Sequence, residues 1–178
     1  IAVITKNLLN YSRDSRLEMS HFKVEQVIND ALSLISTKIK NSGINLKVDV
    51  APQLPEVYWQ FQSIEQVILN LVDNATHALA MKDHLEEEKM ITLDADLSER
   101  QDQHVVLITV QDNGPGTSHE TIERAFEPFF TTKPSGKGTG LGLSIVNDII
   151  SSHGGTMSIE SEEGKFTKVA IELPVTVS

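Results

Sequence analysis

Apolar residues return at helical spacing in three stretches of this chain. Val27, Ile28, Ala31, Leu32, Ile35 and Ile39 form the first stripe, and Gly43 follows where a left-handed turn would stop a helix. Ile64, Val67, Ile68, Leu71, Ala75 and Leu79 form the second, which predicts a helix from Phe61 to about residue 80. The third predicted helix covers about residues 140–152 and stops at His153-Gly154-Gly155. Ahead of them, Ile4, Leu8, Leu9 and Tyr11 share an apolar side, so residues 1 to about 19 read as the end of another helix. Elsewhere the period is two. Leu46, Val48 and Val50 alternate with polar residues, and strands are predicted near residues 90–97, 105–110, 156–160 and 167–173. Pro52 and Pro55 mark a loop, and Pro174 ends the last strand.

Strands and helices in this order do not alternate as a doubly wound sheet requires. They predict a two-layer α/β sandwich, with a mixed sheet of about five strands and three long helices on one face. One connection is unusually long. Residues 112 to about 138 are rich in Gly, Pro, Thr and Lys, and a connection of this length in a compact domain is commonly a functional lid.

Composition narrows the function classes. The chain has 178 residues, enough for one domain with a sizeable core. Its net charge of -10 argues against non-specific binding to nucleic acid, while a nucleotide can still be held by a local cradle. There are no cysteines, so disulfides, thiolate metal sites and cysteine nucleophiles are excluded. No apolar run approaches the roughly 20 residues of a membrane helix. The chain begins at Ile1, which reads as a piece cut from a longer protein.

Three segments carry candidate chemistry. Asn70 and Asn74 are four apart on the second predicted helix and share the face opposite Val67, Ile68, Leu71 and Ala75. Asparagine is a mediocre helix former, and its amide oxygen suits Mg²⁺, whereas an isolated pair is more often a solvated polar face. Asp112-Asn113-Gly114-Pro115-Gly116 follows a strand and is, alone, a hairpin corner. A buried carboxylate there would accept from adenine's exocyclic amine and meet guanine's carbonyl acceptor to acceptor. Gly116 would let backbone approach the ring. Gly136 to Ile145 reads GKGTGLGLSI and leads into a helix, so its amides and the helix N-terminus suit a triphosphate. Neither a P-loop nor a G-x-G-x-x-G dinucleotide motif is present.

The order of these motifs is more specific than any one of them. Asn70/Asn74, Asp112-x-Gly114-x-Gly116, Phe126-Glu127-Pro128-Phe129-Phe130 and Gly138-x-Gly140-x-Gly142 together resemble the ATP-binding catalytic domain of two-component sensor histidine kinases. These belong with gyrase-type, mismatch-repair and heat-shock chaperone ATPases. FEPFFTTKPSGKGTGLGLSIV is similar to the nitrogen-regulatory and dicarboxylate-sensing subgroup. The resemblance covers about residues 20 to 175 and implies a Bergerat-type fold that binds ATP and Mg²⁺. It implies that Asn74 ligates Mg²⁺, that Asn70 supports the metal or phosphates, and that Asp112, Gly114 and Gly116 form the adenine pocket. Gly138, Thr139, Gly140, Leu141, Gly142 and Leu143 correspond to the phosphate-binding and hinge segment. Phe126, Phe129 and Phe130 match an aromatic box that anchors the lid. Lys133 and Lys137 lie in the lid within reach of the γ-phosphate or in solvent, with Lys133 grouped with Asn70 and Asn74 as catalytic. His77 replaces a common Lys or Arg one turn beyond Asn74 and is a phosphate contact or a surface residue. Thr167 matches a threonine near adenine, although Phe166 stands where glycine is usual and Val169 where an aromatic is usual.

Hydrolases of this superfamily carry a glutamate where Asn70 stands. Asparagine cannot take a proton from water, so the pattern favours transfer to a histidine over hydrolysis. His21 is followed by Phe22 rather than an acidic residue and reads as a linker. The acceptor is expected on a dimerisation domain outside this chain. Residues 1–19 are then the end of its second helix, residues 20–178 the catalytic domain, and about 113–139 the lid. The parent is expected to be a homodimeric, membrane-anchored bacterial sensor with this domain in the cytoplasm, passing phosphate to a response regulator receiver domain without binding nucleic acid. The alternatives are a hydrolase or serine-directed kinase of the same superfamily, or a docking module that binds no nucleotide.

Overall fold

The computed structural model describes residues 18–81, 88–100, 102–132 and 138–175. The expected helix end at residues 1–19 therefore lies almost wholly outside the described residues, as do Lys133 and Lys137. The described chain opens with strand β1 (Met19–Lys23) and helix α1 (Val24–Asn41), followed by β2 (Asn45–Val50), β3 (Glu56–Gln60) and helix α2 (Phe61–Met81). A long antiparallel pair, β4 (Met90–Arg100) and β5 (Gln103–Asp112), precedes a short helix α3 (His119–Arg124). Helix α4 (Gly142–Ser152), β6 (Thr156–Glu162) and β7 (Phe166–Pro174) complete the fold.

Five strands form one mixed sheet in the order β2-β4-β5-β7-β6, in which only the β2–β4 pair is parallel. Alternation explains which face the helices cover. Ile91, Leu93 and Ala95 of β4, Val106, Ile108 and Val110 of β5, and Ile171 and Leu173 of β7 are buried and stand side by side in register. Ile64, Val67, Ile68, Leu71 and Leu79 of α2 pack on them, with α1 and α4 flanking. Each such side chain contributes about 1.5–3 kcal/mol on burial. The two-layer sandwich with a five-stranded mixed sheet is as expected. At the outer edge, β2 protects its alternation less, and Val48 stays exposed.

Two strands were not foreseen. The expected linker around His21 is β1, paired antiparallel with β3, where Phe22 meets Val57 and His21 stacks on Tyr58. Phe22 lies 4.9 Å from Phe61 and 6.2 Å from Trp59, ring centre to ring centre. Trp59 is almost fully buried, and its indole N–H donates to the Pro174 carbonyl at 3.0 Å, as a buried indole requires.

His153 closes the helical layer. Its Nε2 accepts from the Gln60 amide at 3.1 Å while Nδ1 lies 2.8 Å from the Ile149 carbonyl. The first contact requires a lone pair and the second a hydrogen, so the ring is the neutral Nδ1–H tautomer. It ties the end of α4 to the start of α2, and thus fixes the two elements that border the cavity described next.

Candidate functional site

A cavity of about 420 Å³ lies between α2, the end of β5, the loop after it and the start of α4. That size suits a small-molecule site. Asn70, Asn74 and His77 line one wall because spacings of four and three put them on one helix face. The residues between them, Leu71 and Ala75, turn toward the core.

Asp112 follows Val106, Ile108 and Val110 in the inward-facing alternation of β5, so its carboxylate emerges on the helix side of the sheet and is 4% exposed. The Gly114 amide donates to its Oδ1 at 2.9 Å. A Cβ on Gly114 would lie 2.5 Å from that oxygen, so the turn that holds the carboxylate needs glycine. Gly116 has φ +64°, and a Cβ there would lie 2.1 Å from the Glu162 carbonyl oxygen. Thr167 is Asp112's partner across the β5–β7 ladder, and both line the cavity.

The opposite wall is the glycine segment. Gly138, Thr139, Gly140, Gly142 and Leu143 line the cavity. Leu141 is the N-cap of α4 and makes no side-chain cap bond to the first-turn amides. The position a Cβ would take on Gly142 is 3.7 Å from Asn74 Nδ2, which brings the two walls into contact. The Nδ2 of Asn70 is buried without a hydrogen-bond partner. An orphaned donor of this kind costs about 1–3 kcal/mol, and an anionic oxygen would satisfy it.

His77 is oriented from behind. Its Nδ1 lies 2.8 Å from the Asp73 carbonyl and 3.2 Å from Asp73 Oδ2, and Lys38 pairs with the same carboxylate. Both neighbours of Nδ1 are acceptors, so that nitrogen carries the hydrogen and Nε2 is left for the cavity side.

Of the residues singled out in the sequence, Asn70, Asn74, His77, Asp112, Gly116, Phe130, Gly138, Thr139, Gly140, Gly142, Leu143 and Thr167 meet around this one cavity. Gly114 lies beneath Asp112, and Leu141 serves as a cap rather than a lining residue. Phe126 is half-buried outside the lining, while Phe130 lines the cavity beneath the Arg124 guanidinium, 4.3 Å from the ring centre. Phe129 departs from the expected packed aromatic, being 74% exposed with φ +67°. Sequence reasoning missed α3, which carries Thr121 and Ile122 into the lining; the signal was Ser118, whose hydroxyl caps the Thr121 amide at 3.3 Å. Among the described residues no three His, Asp or Glu side chains gather as a metal site, so any cation here would rely on amide and phosphate oxygens. No described helix is long and apolar enough to cross a membrane.

Residues 60–177 match the family described as histidine kinase-, DNA gyrase B- and HSP90-like ATPase, and the chain belongs to that family. Within it, the similarity runs to sensor histidine kinases. The chain is 31% identical over 175 residues to the sensor histidine kinase ZraS of Escherichia coli, covering 98% of this chain and 35% of that protein. It is 34% identical over 159 residues to the C4-dicarboxylate transport sensor protein DctB of Pseudomonas aeruginosa, covering 89% and 25%. It thus spans about a third or less of the curated relatives it matches. The catalytic domain of the histidine kinase ThkA superposes with a TM-score of 0.74 at 31% identity, covering 89% of this chain and 97% of that one. ThkA in complex with the response regulator protein TrrA gives a TM-score of 0.75 at 30% identity, covering 98% of this chain and 47% of that one. The fold is that of a histidine kinase catalytic domain.

Proposed function

We propose that this chain binds ATP with Mg²⁺ and offers the γ-phosphate to a histidine carried by a dimerisation domain outside it. The observation that carries this reading is the convergence of Asn74, Asp112 and Gly140 on one cavity. Asp112 and Thr167 hold the adenine end. Asn70 Nδ2 and the amides of the glycine segment take phosphate oxygens, and the Asn74 amide oxygen holds the cation. His77 Nε2 contacts phosphate from the same helix face, and Lys133 and Lys137, outside the described residues, are read as lid residues that supply positive charge to the γ-phosphate. Mg²⁺ held there would supply positive charge to the phosphates.

The carboxylates lining the cavity are Asp73 and Asp112. Asp73 is engaged by Lys38 and His77, and Asp112 by the Gly114 amide. Asn70 cannot take a proton. The described cavity therefore offers no carboxylate placed as a base for water, which supports transfer over hydrolysis. Residues 1–19 are read as the end of the second dimerisation helix, residues 20–178 as the catalytic domain and 113–139 as its lid. The parent is read as a membrane-anchored homodimeric sensor that phosphorylates a response regulator receiver domain.

Incubating the chain with γ-labelled ATP tests this. ATP binds with micromolar affinity, and no acid-labile label accumulates on the chain until a separate dimerisation domain is added. Steady phosphate release instead would establish a hydrolase, and absence of ATP binding a docking module. Label on His21 of the chain alone would refute an external acceptor.

A further inference from the structure

Ser161 lies outside the cavity, yet every hydrogen-bonding capacity of its hydroxyl is used. It sits on β6, which borders β7 and faces the loop after Gly116. The Thr117 amide donates to Ser161 Oγ at 2.9 Å. Ser161 Oγ lies 2.7 Å from the Phe166 carbonyl and 3.1 Å from Thr167 Oγ1. A carbonyl can only accept, so the one hydroxyl hydrogen of Ser161 goes to Phe166. One lone pair is taken by the Thr117 amide. The contact with Thr167 is then satisfied in one direction: Thr167 donates and Ser161 accepts.

That wiring fixes the polarity of a cavity-lining group. A threonine hydroxyl ordinarily donates or accepts as its neighbour demands. With its hydrogen held by Ser161, Thr167 shows the cavity an acceptor only. Its cross-strand partner Asp112 offers carboxylate oxygens, which are also acceptors. Two adjacent acceptors suit the two hydrogens of an exocyclic amine on a purine. They oppose a carbonyl at the same ring position, which would be left facing lone pairs.

We propose that Ser161 is a positioning residue for base selection: by locking the Thr167 hydroxyl as an acceptor toward the cavity, it extends the discrimination made by Asp112 against 6-oxopurines. This rests on the reading of the cavity as an ATP site. The chemistry is a purine nucleotide whose C6 substituent donates hydrogen bonds, and the discriminated class carries oxygen there.

The test compares ATP with inosine triphosphate, which differs at C6 by amine against carbonyl, using titration calorimetry on the 178-residue chain. Ser161→Ala frees the Thr167 hydroxyl to donate, and the ratio of the two dissociation constants narrows by roughly tenfold, the scale of one relieved acceptor clash. Ser161→Thr keeps the hydroxyl and the ratio. Thr167→Val narrows the ratio with Ser161 intact, and adding Ser161→Ala to it narrows the ratio no further. A merely structural Ser161 would weaken both nucleotides alike and leave the ratio unchanged, which would overturn the proposal. Should Ser161→Ala not fold, an unchanged ratio in Thr167→Val overturns it by itself. Failure of the unsubstituted chain to bind ATP would overturn the ATP reading and the proposal with it, whereas ATP binding with an unmoved ratio overturns the proposal alone.

Discussion

The amide of Phe129 donates a 2.8 Å hydrogen bond to the carbonyl of Gly140, joining the aromatic segment to the glycine segment. Both residues are in left-handed backbone, with φ of +67° and +66°. A Cβ on Gly140 would lie 2.3 Å from the Phe129 carbonyl carbon and 2.5 Å from its oxygen. The clash is with backbone, which cannot swing aside as a side-chain tip can. The exposed Phe129 ring follows from the same arrangement, because the left-handed turn directs it away from the half-buried Phe126 and the cavity-lining Phe130.

Gly140→Ala therefore separates affinity from stability. The substitution combines an unfavourable φ, about 1–2 kcal/mol for an L-residue, with the backbone overlap. Its cost falls on the glycine segment and its contact with Phe129, since α4 is anchored by Val146 and Ile150 further along. ATP affinity drops at least about tenfold by calorimetry, while the melting temperature of the nucleotide-free chain shifts by only a few degrees. A loss of stability without a loss of affinity would contradict the role given to this contact.

Asn70 poses the opposite trade. Its buried Nδ2 has no partner, and asparagine is a poorer helix former than alanine. Asn70→Ala removes both penalties and is expected to stabilise the nucleotide-free chain by about 1 kcal/mol in denaturant unfolding. It also removes the donor that phosphate would satisfy, so ATP shifts the variant's melting temperature far less than it shifts the unsubstituted chain's. Destabilisation of the nucleotide-free variant would mean that the amide is satisfied in some other way.

What the sequence disclosed follows from how local each feature is. The stripe through Ile64, Val67, Ile68 and Leu71 marks α2, and the same periodicity places Asn70 and Asn74 on its opposite side. Alternation through Val106, Ile108 and Val110 carries Asp112 onto the helix-facing side of the sheet. These are spacings within one element. The pairing of β1 with β3 joins Phe22 to Val57 and depends on contacts distant in sequence. The role of Ser161 was equally hidden, because it arises from Thr117, Phe166 and Thr167 meeting in space. That Gly114 makes room for the carboxylate beside it is a contact only the folded turn shows.

Glu65, a half-buried residue of α2, gives the fold a pH dependence of determinate sign. Partial burial, followed by the negative charge of Asp30 on α1, raises its carboxyl above the ordinary value of 4.5. In the unfolded chain neither influence remains. Between the ordinary value and the raised one, the folded state holds a proton that the unfolded state has released, so stability falls as pH rises through this window. Glu65→Gln removes the titration. The variant's stability relative to the unsubstituted chain, read from urea midpoints, should rise with pH from about 4 and level off above the raised value. Solvent screening keeps the effect modest, since the group is only partly buried. Asp30→Asn should reproduce a smaller part of it, because burial is the larger cause; a variant curve parallel to the parent's across this window would show that Glu65 titrates as it does in the unfolded chain.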